Sequence, residues 1–215
     1  RELTPAGAGI DEQETFATVH ISKMADLGIM GMNLPEAWGG PGVSAIALFH
    51  AVQAIAAACG STASMVTAHF LATDAILLGG DDALRRRYLS DAARGTKLGA
   101  FALTEPRAGS NPADMAMRAE RESGGYRLRG VKHFISNAGG ADFIVVFAMT
   151  DPAAAHRGIS AFVVDRMAPG ISVGAHEKTM GLRGGHVFEI AFDCHVPAEN
   201  RVGAEGTGFK TAMRV

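Results

Sequence analysis

Residues 98–115 read LGAFALTEPRAGSNPADM. The stretch opens as an apolar strand and stops abruptly at Thr104-Glu105-Pro106. Gly109, Ser110 and Asn111 follow, small polar residues that suit a loop lying against something other than protein. Two readings are open here, an ordinary turn or the wall of a binding site. The same stretch divides the chain, because the apolar residues before it recur with a helical period and those after it with a strand period.

Upstream, Asp11 and Glu14 have the spacing of a capping box, which predicts a helix from there through Phe16, Met24 and Leu27 to Gly28. NLPEAWGGPG (33–42) is a loop rich in turn residues. Trp38 within it suits an aromatic anchor for the helices better than a ligand-stacking ring. Ser44 starts a segment whose apolar stripe (Ile46, Leu48, Phe49, Val52, Ile55, Ala56) is wide enough for a buried helix. A further helix is expected over 62–78, closed by Gly79-Gly80. Asp81 and Asp82 cap a last one that stops at Gly95.

Downstream, LGAFAL, YRLRGVKHFIS, DFIVVFAM, GISAFVVD, GISVGAH and VFEIAFD are short runs rich in Val, Ile and Phe, separated by turn clusters such as Ser123-Gly124-Gly125 and Ala168-Pro169-Gly170. Six or more such strands predict a small antiparallel barrel or sandwich. Arg118, Glu120, Arg121 and Glu122 alternate charge in a strand-like run, as on a solvated face of cross-strand pairs. GAEGTGFKTAMRV (203–215) reads as a glycine-rich hinge into a new helix, with Phe209, Ala212, Met213 and Val215 expected to have little to pack against.

Composition narrows the function classes. A net charge of −2 and no Lys/Arg cluster leave no footprint for nucleic acid. No apolar run of about 20 residues stands out as a membrane span. Cys59 and Cys194 are far apart without metal-type spacing, and a reducing compartment fits. The eight histidines form no H-x₃-H or H-E-x-x-H pattern. Gly203, Gly206 and Gly208 with Lys210-Thr211 lack the contiguous Gly-Lys-Ser/Thr of a phosphate loop. Ser110 in AGSNP is not the strained G-x-S-x-G elbow of a nucleophile. From the residues alone, function stays open.

Four stretches taken together resemble the acyl-CoA dehydrogenase family: AFALTEPRAGSN (100–111), GVKHFISNAGGAD (130–142), GISAFVVD with PGISVG (158–174), and KTMGLRGG followed by FEIAFDCHVPAENRVGAEGTGFKTAM (178–213). LGIMGMNLPEAWGGPG and ACGSTASMVTAH resemble its helical part, so the resemblance covers essentially the whole chain in order. It implies a multi-domain α and β protein: an N-terminal α-helical domain (1–97), a small antiparallel β-barrel domain that binds flavin and acyl-CoA (98–205), and at 206–215 the start of a C-terminal helical bundle that is cut off.

The resemblance also implies the cofactor FAD. The segment Phe101, Ala102, Leu103, Thr104 would line it, with main-chain groups near Leu103 and Thr104 and the Thr104 hydroxyl at the pyrimidine end of the flavin. Gly109 would permit close backbone approach, and Pro106 would fix the turn. Ser110 would lie where the cofactor pyrophosphate meets the acyl-CoA arm, touching both cofactor and substrate. In HFISN, Phe134 matches a flavin-packing position, Ile135 follows it, and Ser136 matches the hydroxyl near flavin N5. Arg183 is a further candidate. Gly185 and Val187 stand where relatives carry hydroxyls, and Asn111 stands in place of a common aspartate.

The implied reaction is α,β-dehydrogenation of an acyl-CoA thioester in fatty-acid or amino-acid catabolism, with an electron-transfer flavoprotein as acceptor. A homo-oligomer, tetramer or dimer, is implied, in the bacterial cytoplasm or alternatively the mitochondrial matrix. The catalytic carboxylate of the family belongs to the C-terminal bundle, so no residue of 1–215 inherits it and this piece alone would be inactive. Other flavin chemistry on the same fold (an acyl-CoA oxidase, nitroalkane oxidase or flavin monooxygenase) is the alternative, and a non-catalytic binding or oligomerisation module is another.

Overall fold

The computed structural model describes residues 3–215. Helices α1 (Leu3–Glu12), α2 (Ile21–Asp26), α3 (Ala45–Ala58), α4 (Gly60–Gly79) and α5 (Asp82–Ala93) form the N-terminal part. Their limits follow local chemistry. The Ser44 hydroxyl accepts from the Ala47 N–H at the start of α3, and the Asp81 carboxylate accepts from the Leu84 N–H at the start of α5. Gly28, with φ +71°, takes the left-handed conformation that stops the chain after α2.

Two helical expectations change. Asp11 does not open a helix; it sits near the end of α1, and its carboxylate accepts from the Arg183 main-chain N–H (2.8 Å) and Nε (3.1 Å). A distant partner has taken the group that the local pattern assigns to a cap. Nor is α3 a buried helix. Leu48 and Val52 pack towards Met24, Met30, Met65, Val66 and Phe70, and Ile55 is buried, whereas Ile46 is 71% and Phe49 63% exposed. An alanine-rich helix is apolar all round, so its stripe does not say which side is covered.

α4 is the central helix, buried over most of its circumference, including Thr62, Met65, His69, Thr73 and Ile76, with Leu71 exposed on the remaining side. It is also the one helix among the described residues that is long and apolar enough to cross a membrane, which the sequence reading missed. Its burial against β1 (Gly99–Ala102), α3 and α5 makes it the core of this part.

The second part is a sheet built from β1, β2 (Arg118–Glu122), β3 (Gly125–Ser136), β4 (Phe143–Met149), β5 (Ile159–Asp165), β6 (Ile171–His176), β7 (Val187–Pro197) and β8 (Arg201–Val202). The order is β6-β7-β3-β2-β4-β5-β8, with β1 alongside β4. Pairing is mostly antiparallel, but β1 runs parallel to β4, and β2 meets β4 in parallel only at Arg118–Met149. The expected barrel is therefore not closed by hydrogen bonds: β6 and β8 are edges. The sheet instead bends at β2 and folds over itself. Ile144, Val146, Phe162 and Val164 from one half meet Leu128, Ile190, Phe192 and Val196 from the other.

The alternate residues of β4 (Phe143, Val145, Phe147, Met149) face the other way and pack with α4 and α5 residues such as Ile76, Leu84 and Leu89. Burial on both faces explains why β4 is a continuous apolar run. The charged β2 run is a wet face, with Arg129 on Glu120 (2.9 Å) and Arg127 on Asp193 (2.6 Å).

The short α6 (Gly208–Ala212) follows β8. Contrary to expectation, Phe209, Ala212 and Val215 do have packing partners, because α6 lies on the helix-facing cluster; Met213 alone of that set is exposed. The preceding glycines are fitted rather than loose: a Cβ on Gly208 would stand 2.6 Å from the Ser160 carbonyl carbon, and the Gly206 N–H donates to the Ser160 hydroxyl (2.9 Å).

Candidate functional site

β1 ends at Ala102 because Glu105 and Pro106 turn the chain. The main chains of Glu105 and Ala108 exchange hydrogen bonds (3.1 and 3.2 Å), with Pro106 and Arg107 forming the two-residue turn between them. Opposite, β3 bulges between Lys132 and Ile135, and Phe134 takes φ +56°. That bulge leaves the Phe134 ring 57% exposed while Ile135 is buried. The His133 N–H donates to the Thr104 carbonyl (2.9 Å) and ties the two strand ends together.

Between them lies a cavity of about 240 Å³ lined by Phe101, Leu103, Thr104, Phe134, Ile135 and Ser136, with Ala68 and Leu71 from α4. Six of the nine nominated residues are thus brought together. Ala102 is not among them; it points into the interior of the folded sheet and is fully buried. Gly109 and Ser110 are exposed on the loop beyond the cavity. A Cβ on Gly109 would meet nothing within 4 Å, so protein packing does not demand glycine there. Arg183 is engaged by Asp11 on α1, whose carboxyl the Arg183 main-chain N–H and guanidinium hold below the ordinary carboxylate range.

The chemistry of the lining is apolar with unspent polar groups. Among the described residues the Thr104 N–H, the Thr104 hydroxyl and the Ser136 hydroxyl have no hydrogen-bond partner. Larger clefts lie elsewhere, around Leu3, Met24 and Leu27 and around Tyr88, Asp142 and Arg166. The first is walled mainly by aliphatic side chains. In the second the charged groups are already engaged: Arg166 donates to the Gly139 carbonyl, and the Asp142 carboxylate accepts from the Leu98 N–H.

A buried ion pair stands behind the Leu103–Thr104 segment, and the sequence reading missed it. Lys132 is fully buried, and its Nζ donates to the Leu103 carbonyl (2.9 Å) and to Glu105 Oε1 (2.9 Å). Glu105 also accepts from the main-chain N–H groups of Ala116 (2.6 Å) and Met117 (3.1 Å), which fixes the loop after it. Burial pushes the Lys132 ammonium down to about 8, against the pull of Glu105.

The other end of β1 is held by two buried groups. His69 Nδ1 accepts from the Gly99 N–H (3.0 Å), and Asn137 Nδ2 donates to the Gly99 carbonyl (3.2 Å). Burial pushes the His69 imidazole down to about 4, so the ring is neutral. Its pairing with Gly99 places the proton on Nε2.

Residues 1–96 match the acyl-CoA dehydrogenase N-terminal domain, and residues 100–194 match the acyl-CoA dehydrogenase middle domain. The chain belongs to the acyl-CoA dehydrogenase family. An acyl-CoA dehydrogenase of Bacillus subtilis is 40% identical over 99% of this chain and 57% of its own length. The acryloyl-CoA reductase (NADH) of Anaerotignum propionicum is 39% identical over 99% of this chain and 55% of its own. Among solved structures, butyryl-CoA dehydrogenase from Megasphaera elsdenii superposes with a TM-score of 0.94 at 35% identity, covering all of this chain and 57% of that one. The chain spans about half the length of the curated relatives it matches. Membership in the acyl-CoA dehydrogenase family accounts for the order of the parts, helices first and sheet second.

Proposed function

We propose that the protein carrying this chain performs FAD-dependent α,β-dehydrogenation of an acyl-CoA thioester, and that the cavity between β1 and β3 receives the flavin. The observation that carries this is the set of unspent donors, the Thr104 N–H with the Thr104 and Ser136 hydroxyls, gathered in an apolar cavity of a family member. Such donors stabilise charge that develops on a bound ring. Thr104 would hold the pyrimidine edge, Ser136 the region of N5, and Phe134 would cover a ring face. Gly109 and Ser110, exposed next to the cavity, would approach the pyrophosphate and the acyl-CoA arm. When bound, FAD supplies a hydride acceptor.

The chain's own part is to orient and to exclude water. Phe101, Leu103, Leu71 and Ile135 make an apolar wall, which strengthens each polar contact made inside it. Among the described residues, none that lines the cavity is a carboxylate. The base that removes the α-proton is therefore assigned to the protein outside residues 1–215. Residues 1–97, 98–205 and 206–215 are assigned to helical domain, flavin and acyl-CoA domain, and start of a third domain. An electron-transfer flavoprotein as acceptor, a homo-oligomeric assembly and a bacterial cytoplasmic location complete the proposal.

The test is the visible spectrum of the longest natural chain that carries residues 1–215, followed anaerobically as acyl-CoAs of increasing length are added. Bleaching of a flavin band by one of them supports the reading. A yellow protein that no acyl-CoA bleaches points to other flavin chemistry, and a protein that binds no FAD when it is added refutes the reading.

A further inference from the structure

Resting on the flavin reading above, we propose that Lys132 and Glu105 are positioning residues. Their buried pair fixes the direction in which the Leu103–Thr104 peptide offers its N–H to the cavity, and so sets the reduction potential of the bound flavin.

Lys132 is among the largest fully buried side chains, in the company of Phe143, Phe147 and Phe162. An ion pair so placed is a poor way to fill a core, since apolar groups of similar volume often serve stability as well or better. What the pair does geometrically is specific. The Lys132 ammonium draws the Leu103 carbonyl inwards at 2.9 Å. The peptide is trans, and in a trans peptide the carbonyl and the following N–H point in opposite directions. The Thr104 N–H is therefore turned away from Lys132, and Thr104 lines the cavity.

The next peptide is pinned as well, because the Thr104 carbonyl accepts from the His133 N–H (2.9 Å). Both peptides that flank Thr104 are thus held by a hydrogen bond at their carbonyl. Glu105 holds the ammonium at that point, and its own bonds to the Ala116 and Met117 N–H groups anchor it. A cation behind the Leu103 carbonyl also polarises that peptide, which makes the Thr104 N–H a stronger donor. A donor of this kind favours the reduced, more negative flavin over the oxidised one.

The test compares three forms of the longest natural chain carrying residues 1–215: wild type, Lys132→Met, and Lys132→Met with Glu105→Gln. The midpoint potential of bound FAD, its visible spectrum, its dissociation constant and the melting temperature are read for each. The expected result is a midpoint shifted to more negative potential, displaced flavin bands and FAD binding weakened at least tenfold in both variants. A lowered melting temperature with the potential and affinity of wild type would mean that the pair only supports the fold, and overturns the proposal. If the Met variants do not fold, Lys132→Arg, which keeps charge and donors but moves them, takes their place. A negative shift then supports the proposal and an unmoved potential overturns it. A wild-type protein that binds no FAD overturns the proposed function and this inference together, and is distinct from a flavoprotein whose potential does not move.

Discussion

Acidification should unfasten β1 through His69. The ring is fully buried, accepts from the Gly99 N–H, and has its proton affinity pushed down from the ordinary 6.5 to about 4 by burial. In the unfolded chain the same imidazole takes a proton near pH 6.5, so between 6.5 and 4 the unfolded state binds more protons. Stability therefore falls as pH falls through that window, and is fully present above it. At about 1.4 kcal/mol per tenfold change in proton affinity, the displacement is worth about 3 kcal/mol by pH 4. Protonation also removes the acceptor for the Gly99 N–H, so the loss should be felt at β1 first. The assay is urea unfolding from pH 7.5 to 4.5 on the wild type and on His69→Gln, whose amide oxygen can accept from Gly99 but does not titrate. Carboxylates such as Asp91 and Asp193, held low by cationic partners, lose their stabilisation further down the scale and are common to both proteins. The wild type should therefore lose about 2–3 kcal/mol more than the variant between pH 7 and 4.5. Identical pH slopes in the two proteins would refute the reasoning.

Three further outcomes are expected. Glu105→Ala should cost about 3–5 kcal/mol in urea unfolding, because it leaves the Lys132 ammonium buried and unpaired; a cost under about 1 kcal/mol would mean that water reaches the site. Phe147→Ala, at a fully buried position of β4, should cost about 3–5 kcal/mol, whereas Phe49→Ala on the exposed face of α3 should stay within about 0.5 kcal/mol in residues 1–215. In equilibrium dialysis Thr104→Val and Ser136→Ala should each weaken FAD binding about fivefold to tenfold, the worth of roughly one neutral hydrogen bond, and unchanged binding would remove those hydroxyls from the proposed site.

How far the molecule could be read from its sequence depends on the range of the cause. Helix ends at Ser44 and Asp81 were legible because the capping atoms lie three residues from the groups they satisfy. The strands were legible because turn clusters separate them and β-branched residues fill them. Features that depend on a distant partner were not. Asp11 fits a cap by spacing, but Arg183 claims it. The exposed side of α3 cannot be told from its covered side where alanine makes every face apolar. Nor does a period of two say whether the two sheet edges meet, which is why the bent, open sheet differs from a closed barrel.

The cavity shows the same division at closer range. Phe101, Leu103 and Thr104, with Phe134 to Ser136, were nominated only because both stretches resemble a family; neither carries a spacing that means chemistry by itself. Ala68 and Leu71 gave no signal, since small apolar residues on a core helix look alike wherever they face. Lys132 and Glu105 were hidden differently. They are 27 residues apart in the chain, and in sequence each reads as one more surface charge. Their meaning exists only once β3 has crossed behind the loop after β1. Lys132, between Val131 and the Phe134-Ile135 pair of the GVKHFIS run, is nevertheless a local contradiction, a charge inside a strand that buries its side chain. Sequences keep such contradictions where a partner resolves them and the pair does something that an apolar residue would not. Here it aims a peptide at a cavity, and that is the ground for testing the potential of a bound flavin rather than stability alone.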